Sequence, residues 1–492
     1  MLNKSDGRKV VVIGLDGMAW HTLDKLFKHD AMPYLKNITK NSLRGILKST
    51  IPPTTPPAWT SIATGVNPGK HGIFDFVIHR KNRLACSLDV QYPRIHEMIA
   101  LKGMKSVCIN QPLTYPITRI KGSHVLSDWM SPVFDVFPSW LKDVVPNYQN
   151  LNPNLEKNIT KLIKASKDRV HSAISLMKKI DWNLFWIIYS ESDFICHIAY
   201  DKLLEGDKQL LEVFKLIDKS IGIAHNLSDM LVIVSDHGFK KYNYTISVNS
   251  ILDKLGFVKK TWTKRTKEIS DFTVHNYKQK KVKIPSIIHR WFSRKPLLKE
   301  TFKGLFKLVT GREITTECPY PDPELSQAYV PSHSCFGVYT KNDSIAEIVI
   351  KTTRKYRFIG NAWKREKVFS GPHVVLAPHV MLLPKFNKGF TFAGSRITPT
   401  IISKGTVYDH HPDGIVIISG ENIHPVWLKH PVETVDVVPT ILRYMSLPLP
   451  INTDGKNLPN IDYPENEVRY YDYLKHWQLI RQIQLKKSKL SI

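Results

Sequence analysis

The chain has little of what marks membrane, secreted or repeat proteins. No stretch approaches the roughly eighteen uninterrupted apolar residues of a membrane-spanning helix. The N-terminal apolar run Val10–Leu15 is six residues long, too short for a signal-peptide core, and reads as a buried strand. There are five cysteines, Cys86, Cys108, Cys196, Cys318 and Cys335, odd in number, scattered and without CxxC spacing. That argues against a disulfide framework and a cysteine zinc site, and suggests a reducing compartment. A cytoplasmic protein is expected. Internal repeats and low-complexity tracts are absent. Acidic residues are scarce, with 43 Asp and Glu against 70 Lys and Arg and a formal charge of +27. The excess favours acidic partners, whether phosphorylated substrate, nucleic acid or anionic lipid, although a lysine-rich surface with no specific partner gives the same sum.

What is present is a chain of 492 residues, enough for one large domain with inserts. Lys9–Leu15, Arg44–Ser49, Lys105–Asn110, Leu184–Tyr189, Met230–Val234 and Val416–Ser419 read as strands. Leu184–Tyr189 and Met230–Val234 are continuous apolar runs, as expected of strands covered on both faces. Helical patterns lie between them, at Thr22–Phe27, Trp59–Thr64 and Leu155–Lys179, the last a possible lid element. This alternation predicts an α/β protein.

Polar chemistry follows several of these strands at once, where open α/β sheets bind ligands. Asp16 follows the first, Asp193 and His197 the run at 184–189, and Asp236 with His237 the run at 230–234. Thr55 lies in the proline-dense loop Ile51–Pro57, and His410 or His411 precedes Val416–Ser419. Carboxylates beside imidazoles suit a divalent metal such as zinc, and the set is long enough for two ions. A threonine hydroxyl is a poor nucleophile unless its proton is removed. Metals could do that, which makes a two-metal hydrolase of phosphate esters the expected activity.

These residues sit in words that resemble the alkaline phosphatase superfamily, specifically its type I phosphodiesterase/nucleotide pyrophosphatase branch. The words are Val11–Gly17, Thr55–Gly65, Asn67–Ile73, Ser192–His197, Ser235–Gly238 and His410–Gly414, with Asp436–Leu442 and Asp454-Gly455 behind them. They come in the family's order over nearly the whole chain, and are weakest across a lysine-rich stretch near residues 259–312. The resemblance implies a three-layer α/β/α sandwich with a central, mostly parallel sheet and an inserted basic cap. It implies one ion on Asp16, Thr55, Asp236 and His237 and a second on Asp193, His197 and His410. The ions would be zinc, with manganese or iron as alternatives. Thr55 would attack phosphorus and form a phosphothreonine that water hydrolyses.

One departure stands out. Nucleotide pyrophosphatases of the family carry Asn three residues beyond the nucleophile, and this chain has Ala58, so backbone amides or a lysine must serve the phosphate. The start of the Trp59–Thr64 helix is expected to add N–H groups and a dipole aimed at phosphate. Sulfatases need Cys or Ser and Arg in the corresponding word, and neither is here.

Residue by residue, several alternatives stand. Thr54 rivals Thr55, with spacing to Thr64-Gly65 favouring Thr55. Spacing to Gly414 prefers His410 over His411 without separating them. His71 reads as a hydrogen-bonder under the nucleophile loop, Cys196 as an inward-packing apolar residue, and Lys70 as a phosphate contact or a solvated lysine. The expected division is a catalytic core of residues 1–257 and 317–460, a basic insert of 258–316 and a basic helical tail of 461–492. Trp262, Tyr277, Trp291, Phe292 and Phe302 in or beside the insert could stack on bases or form its own small core. The activity expected is hydrolysis of phosphodiester or nucleotide-type substrates. The alternatives are a phosphomonoesterase or phosphoryl transferase/mutase with the same site, or a basic nucleic-acid or anionic-surface binder whose site is vestigial.

Overall fold

Val10–Leu15 lies at the middle of a large twisted sheet, paired in parallel with Leu184–Tyr189 on one side and Met230–Val234 on the other. Every residue of these three strands is buried, which is why they are apolar throughout rather than alternating. The computed structural model describes residues 7–148, 159–266 and 318–490, with only the backbone at 281–284, 313–316 and 487–490.

From one edge to the other, the sheet runs Val426–Trp427, Leu43–Lys48, Asp413–Gly420, Met230–Val234, Val10–Leu15, Leu184–Tyr189, Ser106–Ile109, Ser123–Leu126 and Val136–Phe137. Asp413–Gly420 is antiparallel to both its neighbours, and Val136–Phe137 is antiparallel at the far edge. Strand side chains alternate between the faces. Val11, Ile13 and Leu15 enter one hydrophobic cluster, and Val10 and Val12 enter another on the opposite face. Helices Trp20–Lys28, Ile159–Lys179 and Lys208–Leu227 cover the first face, and Thr55–Thr64, Ile95–Leu101 and Val437–Tyr444 the second. The result is a three-layer α/β/α sandwich.

Ile159–Lys179 corrects one expectation. It does not lie over the site: Leu162, Ala165, Val170, Ala173 and Leu176 bury it against Lys208–Leu227 in the outer layer. A further apolar cluster, from Tyr242 to Ile397, sits on the long antiparallel pair Gly238–Ile246 and Ile402–His411. Of the insert aromatics, only Trp262 is described, and it is exposed; Tyr277, Trp291, Phe292 and Phe302 lie outside the described residues. The tail forms the helix Tyr473–Leu490, docked through buried Trp477 on Ala100 and Ile120. Among the described residues no helix is long and apolar enough to cross a membrane.

Candidate active site

The carboxyl ends of the three central strands deliver Asp16, Asp193 and Asp236 to one buried place. Asp16 directly follows Val10–Leu15, and Gly17 turns the chain away with φ of 69°. A side chain at Gly17 would be crushed, since its Cβ would lie 2.7 Å from Asp193 Oδ1. Asp193 and His197 stand one turn apart on the helix Glu191–Glu205, with His197 Nε2 3.4 Å from Asp193 Oδ2. His237 Nε2 lies 3.3 Å from Asp236 Oδ2 and 3.6 Å from Asp16 Oδ1. The Thr55 hydroxyl, at the first residue of its helix, is 3.4 Å from the same nitrogen.

His410 completes the group from the strand Ile402–His411. Its Nε2 is 3.7 Å from Asp193 Oδ1 and 3.1 Å from His197 Nε2, and its ring stacks on His237 at 3.7 Å. Adjacent strand residues point oppositely, so His411 faces away, against Phe386 and beside Asp413. The ligand-capable atoms of Asp193, His197 and His410 lie within 4.8 Å of one another, as do those of Asp16, Asp193 and His237. Asp193 therefore reaches both groups, rather than the second alone.

Hydrogen bonds decide how the imidazoles present themselves. His410 Nδ1 is 3.0 Å from the Pro53 carbonyl and His237 Nδ1 is 3.1 Å from that of Gly238. A carbonyl oxygen only accepts, so both Nδ1 atoms carry the proton and both neutral rings turn an Nε2 lone pair inward. Burial, then the neighbouring His410, depresses His237 to a pKa of about 3, and burial lowers His410. Those lone pairs face carboxylate oxygens of Asp16, Asp236 and Asp193, with the Thr55 hydroxyl beside His237 and His197 beside His410.

The acids are equally unbalanced. Burial, then the charge of Asp193, pushes Asp16 well above the usual carboxylate range, and burial with Asp16 and Asp193 does the same to Asp236. Burial acts to raise Asp193 too, but His197 and then His410 hold it well below that range. Asp16 Oδ1, Asp193 Oδ1 and Asp236 Oδ2 are buried with no hydrogen-bond donor. An unsatisfied buried acceptor costs about 1–3 kcal/mol, and more when charged. Divalent cations facing these oxygens and lone pairs would satisfy both at once, and the donor set fits them.

The helix start differs from expectation. Pro56 and Pro57 have no N–H, and the Ala58 N–H is bonded to the Thr54 carbonyl at 3.1 Å. The first turn therefore cannot supply the expected fan of amides to phosphate. Lys70 is engaged with Asp454 and the Asn452 carbonyl. His71 bonds Ser61 at 2.9 Å, Cys196 is buried in the apolar layer, and the Thr54 hydroxyl is buried without a partner. Sequence reasoning missed Trp59, whose indole N–H donates to Asp16 Oδ2 at 3.2 Å, and Ser192, which donates to the Asp16 carbonyl at 2.6 Å. Helical position offered no signal for either contact.

Comparison with known proteins bears on the family and the fold. The sequence model for "Type I phosphodiesterase / nucleotide pyrophosphatase" matches residues 10–373. No curated protein sequence matches significantly. Murine ectonucleotide pyrophosphatase/phosphodiesterase 5 is similar in structure at 15% identity and a TM-score of 0.52, with 92% of this chain and 97% of that one covered. The alkaline phosphatase PafA is similar at 13% identity and a TM-score of 0.51, covering 93% and 100%. Phosphonoacetate hydrolase from Sinorhizobium meliloti 1021 follows at 14% identity and a TM-score of 0.50, covering 88% and 94%. At such identities the likeness is one of fold.

Proposed function

Because the chain belongs to the type I phosphodiesterase/nucleotide pyrophosphatase family, and so to the phosphoric ester hydrolases, we propose that it acts through two divalent metal ions and a phosphothreonine at Thr55. Asp16, Asp193, His197, Asp236, His237 and His410 would hold the ions together with the Thr55 oxygen, and zinc suits this mixed set, with manganese or iron as alternatives. Bound there, such ions offset the negative charge that builds on attacking and leaving oxygens and ease ionisation of a hydroxyl.

The chain's own groups supply the rest. Thr55 Oγ1 attacks phosphorus in line with the leaving oxygen; the new P–O bond forms as the old one breaks, and the alcohol or nucleoside phosphate departs. Water then attacks the phosphothreonine, the P–Oγ1 bond breaks with a proton returned to Oγ1, and the phosphate or phosphomonoester departs. Pro53 and Gly238 carbonyls keep His410 and His237 neutral with Nε2 inward, and Trp59 holds the Asp16 carboxylate in place. The observation that carries this reading is the Thr55 hydroxyl beside a neutral imidazole and three buried carboxylates with donorless oxygens.

A phosphodiester or nucleotide-type ester is the leading substrate. The murine neighbour is described as an inactive threonine-to-alanine form in complex with AMP. Ala58, fully buried and without a side-chain donor, favours a second reading in which a phosphomonoester is hydrolysed or its phosphoryl group passed to another alcohol. A metal-supplemented screen of p-nitrophenyl monoesters, diesters and nucleotides tests both. Thr55→Ala should abolish turnover, and acid-quenched wild-type protein should carry phosphate on Thr55. Wild-type rates in Thr55→Ala would end the proposal.

A further inference from the structure

Away from this site, Asp75, His79 and Cys335 bring an oxygen, a nitrogen and a sulfur donor to one point, each atom within 4.8 Å of the others. Asp75 and His79 come from the turn around the short strand Val77–Ile78, and Cys335 from the loop before Gly337–Thr340. All three side chains are almost wholly buried, at 3%, 6% and 1% exposure. They line a cavity of about 60 Å³ with Tyr339 and Pro378, room for an ion and a water.

We propose that Asp75, His79 and Cys335 form a third, zinc-type cation site that pins the antiparallel hairpin of Ala328–Tyr329 and Gly337–Thr340 to the turn carrying Asp75 and His79. The donor chemistry selects the ion: thiolate with imidazole and carboxylate suits zinc or cobalt, whereas magnesium and calcium take oxygen ligands. Three protein ligands leave a fourth position for water. The carboxylate is also held as ligating carboxylates usually are, by outer donors: the Ser332 hydroxyl at 2.6 Å and the Ser334 hydroxyl at 2.5 Å.

His79 Nε2 rests 2.6 Å from Asp75 Oδ2, while its buried Nδ1 has no partner. Without a cation, Nε2 donates to the carboxylate; on binding, the ring proton would move to Nδ1 and the cation would take a lone pair from Nε2 and one from Asp75. Cys335 Sγ must lose its proton to ligate, and binding expels that proton to solvent. The consequence reaches the active site. Between the two serines, His333 extends to Asp409 Oδ2 at 3.3 Å, and Asp409 precedes His410. The third ion would thus fix the segment that braces the His410 strand.

Cobalt titration of the full chain tests this independently of the active-site reading, whose ligands include no sulfur. The wild type should show a thiolate-to-cobalt charge-transfer band and bind one more equivalent than Cys335→Ser, which should lack the band. Asp193→Ala should lose active-site cobalt and keep the band. His79→Gln, which leaves all sulfur in place, should lose the same equivalent if Cys335→Ser fails to fold. No band in the wild type, or a band that persists in Cys335→Ser, overturns the proposal in favour of a metal-free Asp–His–Ser hydrogen-bond network.

Discussion

The indole N–H of Trp59 donates to Asp16 Oδ2 across 3.2 Å, joining the helix that begins at Thr55 to the central strand of the sheet. One hydrogen bond thus couples the helix of Thr55, the proposed nucleophile, to Asp16, a proposed metal ligand. Groups behind a metal ligand set its orientation, and their loss typically weakens binding by about 10- to 100-fold.

Trp59→Phe should therefore lower metal affinity by about that factor, with turnover largely restored by excess metal. Activity titrated against free zinc reads the shift. A loss that no metal concentration recovers would point to repacking around fully buried Trp59.

Gly17→Ala should be more damaging. Its φ of 69° disfavours any Cβ, and the added carbon would fall 2.7 Å from Asp193 Oδ1. A stability loss of about 1–2 kcal/mol is expected from the backbone alone. Turnover should collapse as Asp193 is displaced. Urea unfolding and ester hydrolysis together separate the two effects.

Stability should fall in mild acid, and His71 is one cause. The Ile73 N–H donates to His71 Nδ1, so Nε2 carries the proton and donates to Ser61. Burial, then the charges of Arg94 and His373, lowers its pKa to about 3. A depressed folded-state value means the unfolded chain binds the proton first. The neutral ring's contribution is complete above about pH 6.5 and drains away as pH falls toward about 3. Urea midpoints across that window should fall with a slope that His71→Gln reduces. An unchanged slope in the variant would show that other groups carry it.

Arg169 and Glu191 form a fully buried ion pair at 3.2 Å whose nitrogens and oxygens lack well-directed hydrogen bonds. Glu191→Gln should cost about 3–5 kcal/mol because a bare guanidinium is left behind. Adding Arg169→Met should recover much of the loss. A double-mutant cycle by denaturant unfolding measures the coupling, and additive losses would contradict it.

Much of the architecture was legible without coordinates. Leu184–Tyr189 and Met230–Val234 are continuous apolar runs because both faces of the sheet are covered, and each ends at the acid that enters the site. Pro56 and Pro57 also announced the missing N–H groups, since proline has none in any fold; the helix start was nonetheless expected to cradle phosphate. His410 and His411 could not be separated because spacing carries no face. Strand alternation and the Pro53 carbonyl set them apart.

Covalent chemistry and local pattern travel with the chain. They sufficed for the α/β class, the strand ends, and the inventory of acids, imidazoles and the hydroxyl. Proximity does not travel that way. The Trp59 bond to Asp16, the reach of Asp193 into two groups, the lid helix that became a layer, and the meeting of Asp75 with Cys335 join residues far apart in sequence. Each arises only when distant segments close on one another, because burial and excluded volume act between segments and not along them.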